Sequence, residues 1–389
     1  MKTLIWVLLA VIFACSSAVP ARSDNVETPV RIENPATPPA SNTVRLKELW
    51  HVGGNTEAEG EVFGRIADLV VDGDGNVYVL DDQIVDVRMF SRDGRFLRSF
   101  GREGEGPGKF RQPLGLVTAP GDRIGVYQAM SPRLVLFDRT GAPAGDLEFE
   151  SDPDHGFQLL GRIQWGGGSF IVNALDSRPG AGALDRVQRL LRYDTSGKFQ
   201  CEISQKVLHL DRSNPVMRDE HTPYAAVDAH DVAYVADSWN YDITVSGPGC
   251  GADRVMTRKY EHRQRTGSEI KSIEAYYRRI GETQGVHLEV SKVDPDITWM
   301  GIGEDGRLWV LSSRGRVDIS ADSMGLFDVY DASGALMRTV DLRGTGNPVT
   351  DRYFLIGDRF YVVRHYSASG HEKVDEAEPM SVICYQMPH

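Results

Sequence analysis

From about residue 44 the chain alternates apolar and polar positions in short runs broken by turn residues. Leu69 and Val71 precede the turn Asp72-Gly73-Asp74-Gly75-Asn76, and Val77 and Val79 follow it. β-branched residues at a period of two on both flanks of such a turn predict a β-hairpin. Val87–Phe90, the turn Ser91–Gly94 and Arg95–Phe100 predict a second hairpin, so residues 66 to 100 hold four short antiparallel strands. The unit recurs. First-hairpin turns fall at 72–76, 119–123, 165–169, 228–232, 303–307 and 356–359. Second-hairpin turns carry an aromatic and, four residues on, a glycine: Phe90/Gly94, Phe137/Gly141, Tyr193/Gly197 and Tyr330/Gly334. The aromatic suits packing between sheets, and glycine supplies the positive φ of the turn.

Six four-stranded units predict an all-β fold, a six-bladed β-propeller, since radial stacking buries both faces of each sheet. A β-sandwich with accidental periodicity is the alternative. Blade six, Arg352 to Met387, has too few strands of its own. Val44–Val52, with Leu46, Leu49 or Trp50, and Val52 in alternation, is the expected outer strand that closes the ring and removes an exposed edge.

Asp72–Leu80 (DGDGNVYVL), Asp81, Arg88–Gly94 (RMFSRDG) and Phe96–Phe110 (FLRSFGREGEGPGKF), followed by Gln112-Pro113-Leu114-Gly115, resemble the NHL-repeat family of six-bladed propellers. Ala225–Asp237 (AAVDAHDVAYVAD) is a second match, while the other blades are diverged. The arrangement is also similar to that of bacterial six-bladed propeller lipoproteins, most of which lack an assigned activity.

The first residues read differently. Lys2 precedes the apolar run Leu4–Ala14, too short to span a bilayer but suited to a signal peptide. Ile12-Phe13-Ala14-Cys15 resembles a lipobox that would lipidate Cys15; cleavage after Ala18 or Ala21 is the other route. Either places the mature protein outside the cytoplasm, as an outer-membrane or cell-surface lipoprotein, or as a periplasmic or secreted protein. The expected organisation is a signal peptide over 1–21, a disordered tether over 22–43 carrying Pro29, Pro35, Pro38 and Pro39, and the propeller over 44–389.

One inserted helix is expected around 266–281. Thr266 and Glu269 form a capping box, and Ile270, Ile273, Tyr277 and Ile280 follow near helical spacing. It packs on the outside or one end of the ring, or serves as a lid or partner helix. Loops at 176–185, 312–325 and 364–380 are expected between second and third strands, gathering at one end of the channel.

Composition narrows the function. Asp plus Glu (55) outnumber Lys plus Arg (43), a net charge of −12 that argues against nucleic-acid binding. There is no His-Glu-x-x-His, P-loop, Gly-x-Ser-x-Gly or Cys-x-x-Cys. The expected function is a binding module, a monomer holding a peptide, protein or glycan on one face of the ring. It needs no cofactor and meets a membrane only through a lipid anchor. Asp81, Asp82, Arg111, Gln128, Asp237 and Asn240 are the candidate rim residues. The alternative is a metal-dependent hydrolase or lyase at the channel mouth. His155, His221 and His365 would there hold a divalent ion, zinc or calcium. With Cys15 lipidated, Cys201, Cys250 and Cys384 remain; Cys201 and Cys250 lie near second hairpins of adjacent blades and are the preferred disulfide pair.

Overall fold

The hairpin turns are built by aspartates that bind their own backbone. Asp138 accepts from the amides of Thr140 (2.8 Å) and Ala142 (3.0 Å), Asp194 from Ser196 (2.8 Å) and Lys198 (3.0 Å), and Asp331 from Ser333 (2.9 Å) and Ala335 (3.1 Å). These bonds, led by those from the Thr140, Ser196 and Ser333 hydroxyls, hold the three carboxyls below their usual range. Each aspartate directly follows a second-hairpin aromatic, and Phe90, Phe137, Tyr193 and Tyr330 are all buried between sheets.

The computed structural model describes residues 28–128, 131–151, 159–179, 183–211, 216–218, 224–284, 287–366 and 378–388. Six antiparallel sheets form the blades of a propeller. From the axis outward, blade 1 runs Ile66–Val71, Val77–Asp81, Asp86–Phe90, Phe96–Phe100. The inner strands of blades 2 to 6 are Pro113–Ala119, Leu159–Trp165, Ala225–Val227, Ile297–Ile302 and Arg352–Ile356. Apolar clusters fill the spaces between blades. Phe90, Tyr361 and Val382 meet between blades 6 and 1, for example, and Phe327, Tyr353 and Phe360 between blades 5 and 6.

Lys47–Gly53 closes the ring as expected, antiparallel to Ser381–Gln386 with Val52 opposite Val382 and Trp50 opposite Cys384. The residues before it depart from the expected tether. Val30–Asn34 adds as a parallel fifth strand to Ala252–Arg258 of blade 4, and Ser41–Arg45, which includes Val44, adds to Leu336–Arg343 of blade 5. Pro29 precedes the first of these strands and Pro35, Pro38 and Pro39 sit at the corner between them, where a missing amide costs no ladder bond. Asn34 is buried; its amide donates to the Gly334 carbonyl (3.1 Å) and accepts from the Leu336 amide (2.7 Å). The N-terminal segment is thus a strap over three successive blades.

The helix Gly267–Gln284 starts on its capping box, the Glu269 carboxylate accepting from the Thr266 amide (2.7 Å), and runs three residues past its expected end. Arg263 anchors that start, paired with Glu269 (2.8 Å) and Asp294 (2.6 Å). The expected loop 176–185 is instead largely strand. Ser169–Pro179 and Ala183–Asp194 pair out to Pro179 opposite Leu184. Residues 313–317 form a short helix capped by Ser312, within the loop expected over 312–325. Much of the loop 364–380 lies outside the described residues. Cys201 and Cys250 are disulfide-bonded across blades 3 and 4, and Cys384 is a free, buried thiol. Among the described residues no helix is long and apolar enough to cross a membrane. Cys15 lies outside them.

Candidate functional site

Six inner strands leave a channel on the ring axis. It holds a cavity of about 240 Å³, lined by residues of all six blades, among them Asp68, Arg162, Trp165, Ala226, Trp299 and Tyr353. With about 30 Å³ per water, that is room for several waters or one small ligand group, below the usual 300–1,000 Å³ of a drug-sized site.

The candidate rim residues gather where the inner strands begin, but each is bound within its own blade. Asp81 accepts from the amides of Gly64 (2.6 Å), Arg65 (3.2 Å), Gln83 (3.1 Å) and Ile84 (2.8 Å) and is fully buried. Asp82 takes a bidentate bond from Arg65 at 2.6 and 2.8 Å. The Gln128 side chain accepts from the Arg111 amide (2.7 Å), while the Arg111 guanidinium faces Glu105 at 3.4 Å. Asn240 donates to Asp237 (2.6 Å). These carboxylates shape turns, as Asp at strand ends commonly does. His365 is at the same end, its Nε2 3.0 Å from Glu378 and its amide donating to Asp351 (3.0 Å). His155 and His221 lie outside the described residues. Among the described residues no three His, Cys, Asp or Glu side chains converge as metal ligands would.

Side chains absent from the sequence-based expectation dominate the channel itself. In blade 3 Leu160 stands opposite Ala174 and Ile163 opposite Val172, so Gly161 and Arg162 share a single partner, Asn173. This is a β-bulge, a device that re-aims a side chain. Leu160 and Ile163 stay buried, and Arg162 is turned into the channel. There it is open to channel water but enclosed by protein, and no hydrogen-bond or ion-pair partner for it is found among the described residues. Burial first, and the nearby Arg352 guanidinium second, push its pKa down.

Arg352, the first residue of its inner strand, is by contrast well held. It donates to the Ala67 carbonyl (2.6 Å) and the Tyr366 hydroxyl (3.1 Å) and lies 3.4 Å from Asp68. Its guanidinium also stacks over Phe354, 4.9 Å from the ring centre. Burial works against its charge, but Asp68 and the neighbouring tyrosines outweigh that and raise its pKa. The second oxygen of Asp68 accepts from the Leu116 amide (3.0 Å). Gly115 is required beside it, since a β-carbon there would come within 2.1 Å of the Tyr127 hydroxyl and 2.6 Å of Asp68. Burial, with Asp68 next, raises the pKa of the Tyr127 phenol, and burial raises that of Tyr224. Both phenols therefore stay protonated and able to donate.

A separate pair lies between blades 4 and 5. Asp296, almost wholly buried, meets His262 Nδ1 at 2.8 Å, and burial pushes its carboxyl up to about 6. The two residues are 34 positions apart and carry no motif, so the sequence offered no signal for them.

The fold and channel define the class: the chain is a six-bladed β-propeller. No protein-family model matches it, and no curated protein matches it in sequence. Solved structures do. A protein of Bacteroides fragilis NCTC 9343 described as a candidate exported protein is 9% identical, aligns over 92% of this chain and 100% of its own, and superposes with a TM-score of 0.50. Virginiamycin B lyase from Staphylococcus aureus is 8% identical over 86% of this chain and 98% of its own, with a TM-score of 0.43. A calcium-binding protein, regucalcin, from Agrobacterium tumefaciens is 10% identical over 89% and 97%, with a TM-score of 0.41. At these identities the likeness is one of fold, and fold does not assign activity.

Proposed function

We propose that this protein is an exported, lipid-anchored binding module of the NHL-like propeller type. It acts as a monomer and holds a peptide, protein or glycan at the channel end where the inner strands begin. The observation that supports this most is Arg162, a charged side chain that lines the channel cavity and has no partner among the described residues. A charge enclosed by protein with no partner among the described residues suits a ligand that supplies the match. The Cys201–Cys250 disulfide fits an oxidising compartment. The test is to incubate purified protein with peptide and glycan arrays and, in parallel, with ester, lactone and lyase substrates. Saturable retention without turnover is expected, and metal-dependent turnover would remove the reading. Anchoring through Cys15 predicts that Cys15→Ala moves the protein from the membrane to the soluble fraction.

The second reading, a metal-dependent hydrolase or lyase at the channel mouth, draws on one observation, the His365–Glu378 pair at the rim. It requires His155 and His221 to join that pair. Metal analysis of the purified protein tests it: stoichiometric zinc or calcium, lost in His365→Ala, would favour this reading over the first.

A further inference from the structure

We propose that the channel holds an anion site in which Arg162 binds one carboxylate of a small ligand or ligand terminus, with the nearby Arg352 adding to the positive field. This rests on the binding reading of the channel and names the chemistry that the site selects. The charge balance carries it. Asp68 offers one negative charge against two guanidiniums, and its two oxygens are already engaged by Arg352 and by the Leu116 amide. One positive charge is left, on Arg162, within a protein whose net charge is −12.

The backbone is shaped to keep that charge in place. The bulge at Gly161-Arg162 breaks the strand alternation and sends Arg162 to the axis, with its apolar neighbours left in the core. Enclosure by the surrounding protein and repulsion from Arg352 both disfavour the unliganded guanidinium. A carboxylate would relieve both, since a planar oxyanion accepts paired N–H bonds from the arginine fork. The cavity of about 240 Å³ admits a group of that size. The phenols of Tyr127 and Tyr224, kept neutral by burial, surround Arg162 without adding negative charge.

The test is calorimetric titration of the purified protein at low ionic strength, where charge pairing is least screened. The probes are glucuronate, a carboxylate on a sugar, and N-acetylglycine, a mimic of a peptide terminus, each beside its neutral counterpart, glucose and N-acetylglycinamide. Saturable binding of at least one acid is expected, with none of its neutral partner and a loss of tenfold or more in Arg162→Gln. The tighter acid identifies the source of the carboxylate. Arg162→Gln should also melt at or above the wild-type temperature, because the arginine has no partner to lose among the described residues. Absence of binding by both acids, equal binding by the variant, or a variant that melts well below wild type each overturns the site. The two proposals fail separately. If a ligand retained on the arrays ignores Arg162→Gln, the carboxylate site falls and the binding module stands. If a substrate is turned over while glucuronate still binds, the reverse holds.

Discussion

Replacing Trp50 by alanine tests whether the N-terminal strand closes the ring energetically as well as geometrically. Trp50 is 9% exposed, its ring centre lies 5.9 Å from that of Tyr361, and its indole N–H donates to the Arg92 carbonyl at 2.9 Å. It also covers Gly94, where a β-carbon would approach the indole to 2.6 Å, so no larger residue can fill the space from that side. Removing a buried tryptophan costs about 3–5 kcal/mol, the indole hydrogen bond included. Total stability of a folded domain is typically about 5–15 kcal/mol. The variant should therefore lose about a fifth or more of its stability, a fall of roughly 6–10 °C in melting temperature.

Urea unfolding followed by far-UV circular dichroism measures this without relying on tryptophan emission. Two controls make it specific. Trp50→Phe keeps an aromatic ring but loses the donor, and should cost about 1–2 kcal/mol. His51→Ala changes the exposed neighbour on the same strand and should stay within about 0.5 kcal/mol of wild type. A strand that peels away while the ring persists would show instead as a lower urea slope, since less surface is exposed in the main transition. If Trp50→Ala unfolds at the midpoint of His51→Ala with an unchanged slope, the strand is decoration and the closure argument is refuted.

Asn34→Ala should cost about 1–3 kcal/mol in the same assay, because it leaves a buried amide and carbonyl of blade 5 unpaired; an unchanged midpoint would mean that the strap does not bind there. Reducing the Cys201–Cys250 bridge, or Cys201→Ser, should cost about 4 kcal/mol by loop entropy for a separation of 49 residues, read as a lower melting temperature under reductant that Cys201→Ser no longer shows. Asp296 titrates at about 6 in the fold, above its ordinary value of 3.8. Its contribution is then fully present below about pH 4 and lost as pH rises through 6, so Asp296→Asn should gain on wild type by on the order of 2–3 kcal/mol between pH 4 and 7, and a pH-independent difference would refute the assignment.

The blades were legible because their turns are written in residues with a backbone reason to be there. Asp138 and Gly141 specify one turn, and Asp194 and Gly197 repeat the solution. The capping box at Thr266 and the Cys201–Cys250 pair were equally readable, being local or set by blade order. The strap was not. Pro29, Pro35, Pro38 and Pro39 argued against a sheet, but Pro29 lies just before the first strand and the other three lie between the strands, at the corner where the chain crosses from blade 4 to blade 5. A parallel fifth strand needs only five residues and leaves little periodic signal. Arg162 was hidden for the opposite reason: a bulge breaks the alternation that pattern reading depends on. Gly161 inside a strand was the available sign, since glycine there often marks a bulge. The rim aspartates were placed by position; the backbone amides that hold Asp81 could not be read from side-chain chemistry, and neither could the pairing of Asp82 with Arg65.

The fastenings are distributed unevenly around the ring, and the pattern follows the supply of apolar surface. Between blades 3 and 4 the buried cluster among the described residues is Ile171, Leu190, Ala233 and Val235, against thirteen or fourteen residues at several other junctions. Two devices concentrate there. Arg192 of blade 3 reaches the Asp231 and Gly247 carbonyls of blade 4 at 3.0 and 3.2 Å and the Ser169 hydroxyl at 2.7 Å, and the disulfide joins the same two blades. Blades 4, 5 and 6 are tied instead by the strap, whose last strand also lays Trp50 against the junction with blade 1. A closed ring opens at its weakest junction, so hydrophobic burial alone would leave the 3–4 interface as the gate. Covalent and polar fastening at that junction makes up for its small apolar cluster, in the same blade that carries Arg162 on the channel wall.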